Sequence, residues 1–229
     1  MNDWNDLIGP AVVAAFVSAA VSIAMGLVNR ATTLSLHRKK VNADIALAKM
    51  KFDYDRKQAV FKRRFEVAEQ FLADAYRFKT MMKYARNGVA FGDEGSTRKT
   101  LQNETEDQKE IRNTYFVPLE RINKNNEFIS NMMSRRFTCY AHFGLKANEA
   151  YDHIDLALNR LVASASMLIN WGGKDGGLKI EMLQKLEADI WEPMAEARES
   201  NGIGEDIESA IKIIENLSIP VLEWVDDVN

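Results

Sequence analysis

This chain of 229 residues has one cysteine and three histidines, so metal or acid–base chemistry must be sought first around them. Cys139 and His142 stand three apart, which puts them on one face of a helix, and His153 follows further on. Zinc takes four ligands, or three and a water, and the remaining histidine, His37, belongs to a distant basic stretch. That set is too small for a metal centre, and the expectation is no metal and no cofactor. A second combination is Arg136, or its neighbour Arg135, with His142, because a guanidinium and an imidazole together can act on a phosphate. The glycines of GDEGSTR, Gly92 to Arg98, lack the Gly-Lys-Ser/Thr of a phosphate loop, and Asp93 and Glu94 would repel a phosphate. That segment reads as a flexible, helix-capping loop. No nucleophile elbow, paired-carboxylate motif, HExxH or dinucleotide fingerprint occurs, so the sequence argues against an enzyme more than for one.

The elements that must carry these residues are helices. Charged residues make up 28% and aromatics 9%, with only 4 Pro and 12 Gly, which argues against disorder and against a turn-rich β fold. Ala147, Tyr151, Ile154, Leu158, Leu161, Ala165 and Leu168 are spaced 4, 3, 4, 3, 4, 3, which predicts a helix with one buried stripe. Pro118 predicts the first turn of a preceding helix, which carries Ile122, Ile129, Met133, Phe137 and Tyr140 and which Gly144 closes. WGGKDGG, Trp171 to Gly177, breaks the chain; Leu183, Leu186 and Ile190 mark a helix ending near Pro193, and Ile207, Ile211 and Ile214 a last one before Pro220. The expected fold class is all-α, with one transmembrane helix continuing into a helical stalk and a four-to-six-helix bundle.

From Leu7 to Val28 the chain runs 22 residues without a charge. As a helix this is about 33 Å long, enough for a hydrocarbon core of roughly 30 Å. A signal peptide would begin with basic residues, whereas Met1 to Asp6 holds Asp3 and Asp6 and no Lys or Arg. Arg30, Arg38, Lys39 and Lys40 follow the span, and basic flanks stay in the cytoplasm, which predicts an extracytoplasmic N-terminus. Trp4 suits a membrane interface. The expected divisions are a short extracytoplasmic head (1–6), the transmembrane helix (7–28), a basic membrane-proximal stalk (29–57) and a cytoplasmic helical domain (58–229). The lone cysteine, which cannot form an internal disulfide, fits a reducing compartment for that domain.

Within the span, Ala14, Ser18, Ser22 and Gly26 recur every four residues, a ladder of small side chains that lets two backbones approach in lipid and predicts self-association. Thr32, Thr33 and Ser35 beyond it are expected to fray the helix. His37, Arg38, Lys39 and Lys40 lie close enough to the bilayer to meet anionic headgroups. Residues 30–64 hold eleven Lys or Arg against Asp44, Asp53 and Asp55, a net of +8, while residues 65–229 hold 19 basic against 28 acidic, a net of −9. An acidic domain argues against nucleic acid as a general partner. No Gly or Pro occurs between Gly26 and Gly88, so span and stalk can form one helix. Val41, Ile45, Ala48 and Phe52 make one short seam, and Phe61, Phe65, Ala68, Leu72 and Ala75 a second, one position out of phase. Dimerised spans are expected to bring two stalks together along the first seam, so that span and stalk act jointly.

Two resemblances follow from these residues. The spacing of Arg136 and His142 is similar to the Arg-x(4–6)-His pair of helical HEPN ribonucleases, although Phe137 stands where that family usually has a polar residue. Over most of its length the chain resembles a widespread kind of bacterial protein with one span and a helical cytoplasmic domain. That likeness is carried by RATT at Arg30, HRKK at His37, KFDYD at Lys51, GDEGSTR at Gly92, VPLER at Val117 and FG at Phe143. It implies a bacterial inner-membrane address and no activity. The leading expectation is a membrane-anchored, self-associating helical protein that binds a protein partner as scaffold or sensor. The alternative is a membrane-tethered effector such as a HEPN-like ribonuclease.

Overall fold

The structure is a computed structural model that describes residues 9–171, 177–192 and 202–223. The head with Asp3, Trp4 and Asp6, the first span residues Leu7 and Ile8, most of WGGKDGG and Pro193 lie outside the described residues. The fold is all-α, with no strand among the described residues. Helix α1 (Pro10–Ala85) runs unbroken for 76 residues, as the lack of glycine and proline after Gly26 allows, and Lys83 sits in its last turn, where a cation answers the carbonyl ends. Thr32, expected to fray the helix, instead donates its hydroxyl to the Val28 carbonyl (2.9 Å) and remains helical.

Helix α2 (Glu106–Lys124) begins twelve residues before Pro118, which therefore lies in its interior and not in its first turn. Thr105 is the reason: its hydroxyl accepts from the Gln108 N–H while the Gln108 side chain accepts from the Thr105 N–H, and Glu106 and Asp107 add negative charge at the positive helix end. The TEDQ signature is legible in the sequence and outweighs the one N–H that Pro118 lacks. Single-residue breaks at Asn125 and Arg135 then divide the expected long helix into α2, α3 (Asn126–Ser134) and α4 (Arg136–Phe143). Gly144, at φ +73°, closes α4 as its position predicts.

Helix α5 (Leu145–Trp171) buries the expected stripe, with Ala147, Tyr151, Ile154, Leu161, Ala165 and Leu168 out of solvent. Helices α6 (Ile180–Ile190) and α7 (Gly202–Leu222) follow, and α7 continues past Pro220 because a proline in the last turn removes only one hydrogen bond.

The chain divides into two compact units, residues 1–61 and 62–229. In the first, α1 stands alone, and every side chain described from Val12 to Val60 is exposed. The second has α5 at its centre, packed against α2, α4, α6 and α7. The end of α1 contributes Phe71, Ala75, Phe78 and Met82 to the same core. Phe71 stacks on Tyr151 with ring centroids 5.4 Å apart, and on Phe143 at 6.2 Å. The long helices of this bundle are the end of α1, α2, α5, α6 and α7.

Candidate functional site

In the first unit, the uncharged part of α1 is long and apolar enough to cross a membrane, and no described residue buries it. Ala14, Ser18, Ser22 and Gly26 stand on it in steps of four residues, all exposed, and a methyl group added at Gly26 would meet no atom within 4 Å. No described residue of its own chain therefore requires glycine there. His37, Arg38, Lys39 and Lys40 are consecutive, so at 100° per residue they surround the helix with donors instead of forming one face.

In the second unit, the candidate phosphate-acting residues are occupied by carboxylates. The Arg136 guanidinium donates to Asp152 (2.6 Å) and Asn148 (3.1 Å) and lies 3.5 Å from Asp155, all on α5. Arg135 is paired with the buried Asp74 at 2.7 Å, and Gln70 donates to the same carboxylate. Arg136 and His142 share α4, where six residues separate them by about 120° around the axis and about 9 Å along it. Cys139, which shares α4 with them, is buried with its sulfur 3.6 Å from the Tyr151 hydroxyl, and burial pushes the thiol up from its ordinary value, away from the thiolate that catalysis or metal binding needs. A pocket of about 250 Å³ opens beside it between α1 and α4, lined by Arg63, Gln70, Phe71, Arg135 and Thr138. His153 instead faces Asp206 of α7 at 3.2 Å, with Arg160 3.5 Å from the other oxygen of that carboxylate. Among the described residues no group of three His, Cys, Asp or Glu could hold a metal.

The GDEGSTR segment is a structural joint and not the loosely held cap its composition predicts. Arg121 of α2, fully buried, donates to the carbonyls of Tyr84, Asn87 and Val89 and to both oxygens of Glu94, and its guanidinium lies over the Tyr84 ring. The hydrogen bond from Arg121 holds the Glu94 carboxyl at about 2, well below its ordinary 4.5, against the opposing effect of desolvation. Gly95, at φ +88°, donates its N–H to Glu120 at 2.6 Å. Glu104 takes Arg98 at 2.8 Å and Arg112 at 2.6 Å, and the hydrogen bond from Arg98 brings it likewise to about 2. These pairs fasten residues 87–105 onto α2 and commit the guanidiniums of Arg98 and Arg121 to acceptors of the protein itself. Sequence reasoning missed all of them, because a charged residue between helices reads as solvated until its partner is known.

The domain also exposes an apolar corner. Phe137 and Tyr140 lie on one face of α4, and Leu145 opens α5 one residue beyond Gly144. Phe137 is 79% and Leu145 76% exposed, the highest values among the large apolar residues described.

The described residues therefore define an all-α protein in which one helix is suited to a membrane and the rest forms a domain held by buried arginine–glutamate pairs. Compared with protein-family models, curated proteins and solved structures, the chain matches none. What it does must be argued from the geometry above.

Proposed function

We propose that this is a bacterial inner-membrane protein that self-associates through its span and displays a helical domain to a protein partner in the cytoplasm, as scaffold or sensor. The observation that carries the reading is the lone N-terminal part of α1, apolar and uncharged as far as Val28 and exposed at every described side chain from Val12 to Val60. A helix of that composition is unfavourable in water and favourable in lipid. Arg30 and the cluster His37 to Lys40 on its far side favour an N-terminus outside and a domain inside. Gly26, with open space around it, favours close approach by another backbone. The exposed Phe137, Tyr140 and Leu145 corner is the surface offered to the protein partner. Membranes carrying the full chain, treated with an amine cross-linker, should yield dimers or higher oligomers that Gly26→Leu weakens without reducing insertion. A reporter active only outside the cytoplasm should stay dark when fused after Asn229. A chain that remains monomeric at every density, or a lit reporter, overturns the reading.

A further inference from the structure

From the last residues of the span downward, the exposed helix carries a longer pattern than its short seam suggests. Leu27, Ala31, Leu34, Arg38, Val41, Ile45, Ala48 and Phe52 are spaced 4, 3, 4, 3, 4, 3, 4, and only Arg38 among them is polar. This is nearly four heptads, within the length at which a coiled-coil seam becomes a meaningful pattern. All eight are exposed, Leu27 by 64% and Phe52 by 67%. The next position in the series is Asp55, so the apolar series stops there.

We propose that a second copy of this chain lies parallel and in register against this face of α1, from Leu27 to Phe52. The proposal rests on the reading that the span anchors the chain, since two copies inserted the same way can only pack in parallel here. Charge supports the register. With Ala31, Arg38, Ile45 and Phe52 at the first core position of each heptad, the residue before each faces the partner's residue five further on. Arg30 then meets Ser35, His37 meets Asn42, and Asp44 meets Lys49, an attractive pair made twice in a symmetric dimer. The first repulsive pair is Lys51 with Arg56, at the point where Asp55 ends the apolar series. Arg38 disfavours other registers and larger oligomers, because only matched copies can carry its long side chain out to the rim together.

This face is not the small-residue ladder. Ala24 and Ala20 continue the series upward, and Ser22, Gly26 and Ser18 each lie two residues from one of them, about 160° away around the helix. A single neighbour cannot bury both faces, so the stalk seam and the ladder are separate contacts and do not act jointly on one partner.

The test is single-cysteine oxidation of the full chain in isolated membranes, with the wild type as control because its one cysteine, Cys139, is buried. Ile45→Cys and Ala48→Cys should give linked dimers, and Leu47→Cys and Met50→Cys about tenfold less, since a disulfide needs Cβ atoms within about 4.5 Å. Asp44→Lys should lower linking through Ala48→Cys by about two- to fourfold, and adding Lys49→Asp should restore it. Equal linking on both faces, or no rescue by the second charge change, overturns the proposal. If no cysteine variant links while amine cross-linking still gives dimers sensitive to Gly26→Leu, the seam is wrong and span self-association stands. If neither method gives dimers, both are wrong.

Discussion

Arg121→Met leaves the Glu94 carboxylate inside the domain without its guanidinium, and the cost can be worked from the contacts. Arg121 is 0% exposed and makes five hydrogen bonds, three to the carbonyls of Tyr84, Asn87 and Val89 and two to Glu94, at 2.5 and 3.1 Å. Removing one partner of a buried ion pair costs about 3–5 kcal/mol, and three carbonyls that lose a donor add about 1 kcal/mol each if water does not replace it. The methionine stem recovers about 2 kcal/mol by filling the apolar part of the arginine's volume. The net is about 5 kcal/mol, a large part of the roughly 5–15 kcal/mol that holds a domain together. With a urea dependence of about 2 kcal/mol per molar, the midpoint should fall by about 2.5 M. Tryptophan fluorescence of the full chain in detergent reads it, because Trp171 ends α5 and Trp191 follows α6. Adding Glu94→Gln should recover about 1 kcal/mol, since the stranded group is then neutral. A single variant whose midpoint stays within about 0.3 M of wild type would show that the buried pair is not what holds this loop.

The same pairs set the acid limit. Glu94 and Glu104 are both held at about 2 against an ordinary 4.5, so their contribution is complete above about pH 5 and is lost as the pH falls from 4.5 towards 2; the urea midpoint should drop across that window and drop less in Glu104→Gln. Gly95→Ala should cost about 2 kcal/mol or more in the same urea assay, because φ is +88° and the new Cβ would stand 2.2 Å from the Asn113 carbonyl oxygen. His142→Ala should leave any cellular phenotype of the gene intact, and loss of phenotype with an unchanged urea midpoint would favour the ribonuclease alternative. Phe137→Ser, at a side chain 79% exposed, should change the stability by less than about 0.5 kcal/mol while reducing recovery of protein partners with the domain.

The helices were legible wherever one face is apolar over several turns. The stripe from Ala147 to Leu168 becomes α5 because seven side chains at alternating spacings of four and three residues leave a helix no other way to bury them. Where the pattern is short, local chemistry decides. Thr105 with Gln108 starts α2 well before Pro118, and Asn125 and Arg135 each break the path for one residue, at positions that periodicity cannot distinguish from the exposed side of a continuous helix. The extent of the stalk seam was hidden for a related reason. Leu27, Ala31 and Leu34 sit where an apolar span gives way to polar residues, so they read as the end of the membrane segment until the unbroken α1 connects them in phase with Val41.

The interior pairs were not legible, and the reason is physical. A buried arginine looks in sequence like any solvated one, because what makes it tolerable inside is a set of acceptors contributed by distant residues. For Arg121 these are three carbonyls freed at the end of α1 and just after it, together with Glu94 of the following loop. Helix ends leave carbonyls without partners, and a fork of donors from the next helix can satisfy several at once. Arg86 does the same for α6, donating to the carbonyls of Ala188, Asp189 and Trp191 where that helix ends. The two arginines thus close two chain ends that have no glycine cap. That explains how this domain turns its chain at Ala85 and at Ile190: the guanidiniums of Arg86 and Arg121 are taken up by the carbonyls that those turns release and, for Arg121, by Glu94.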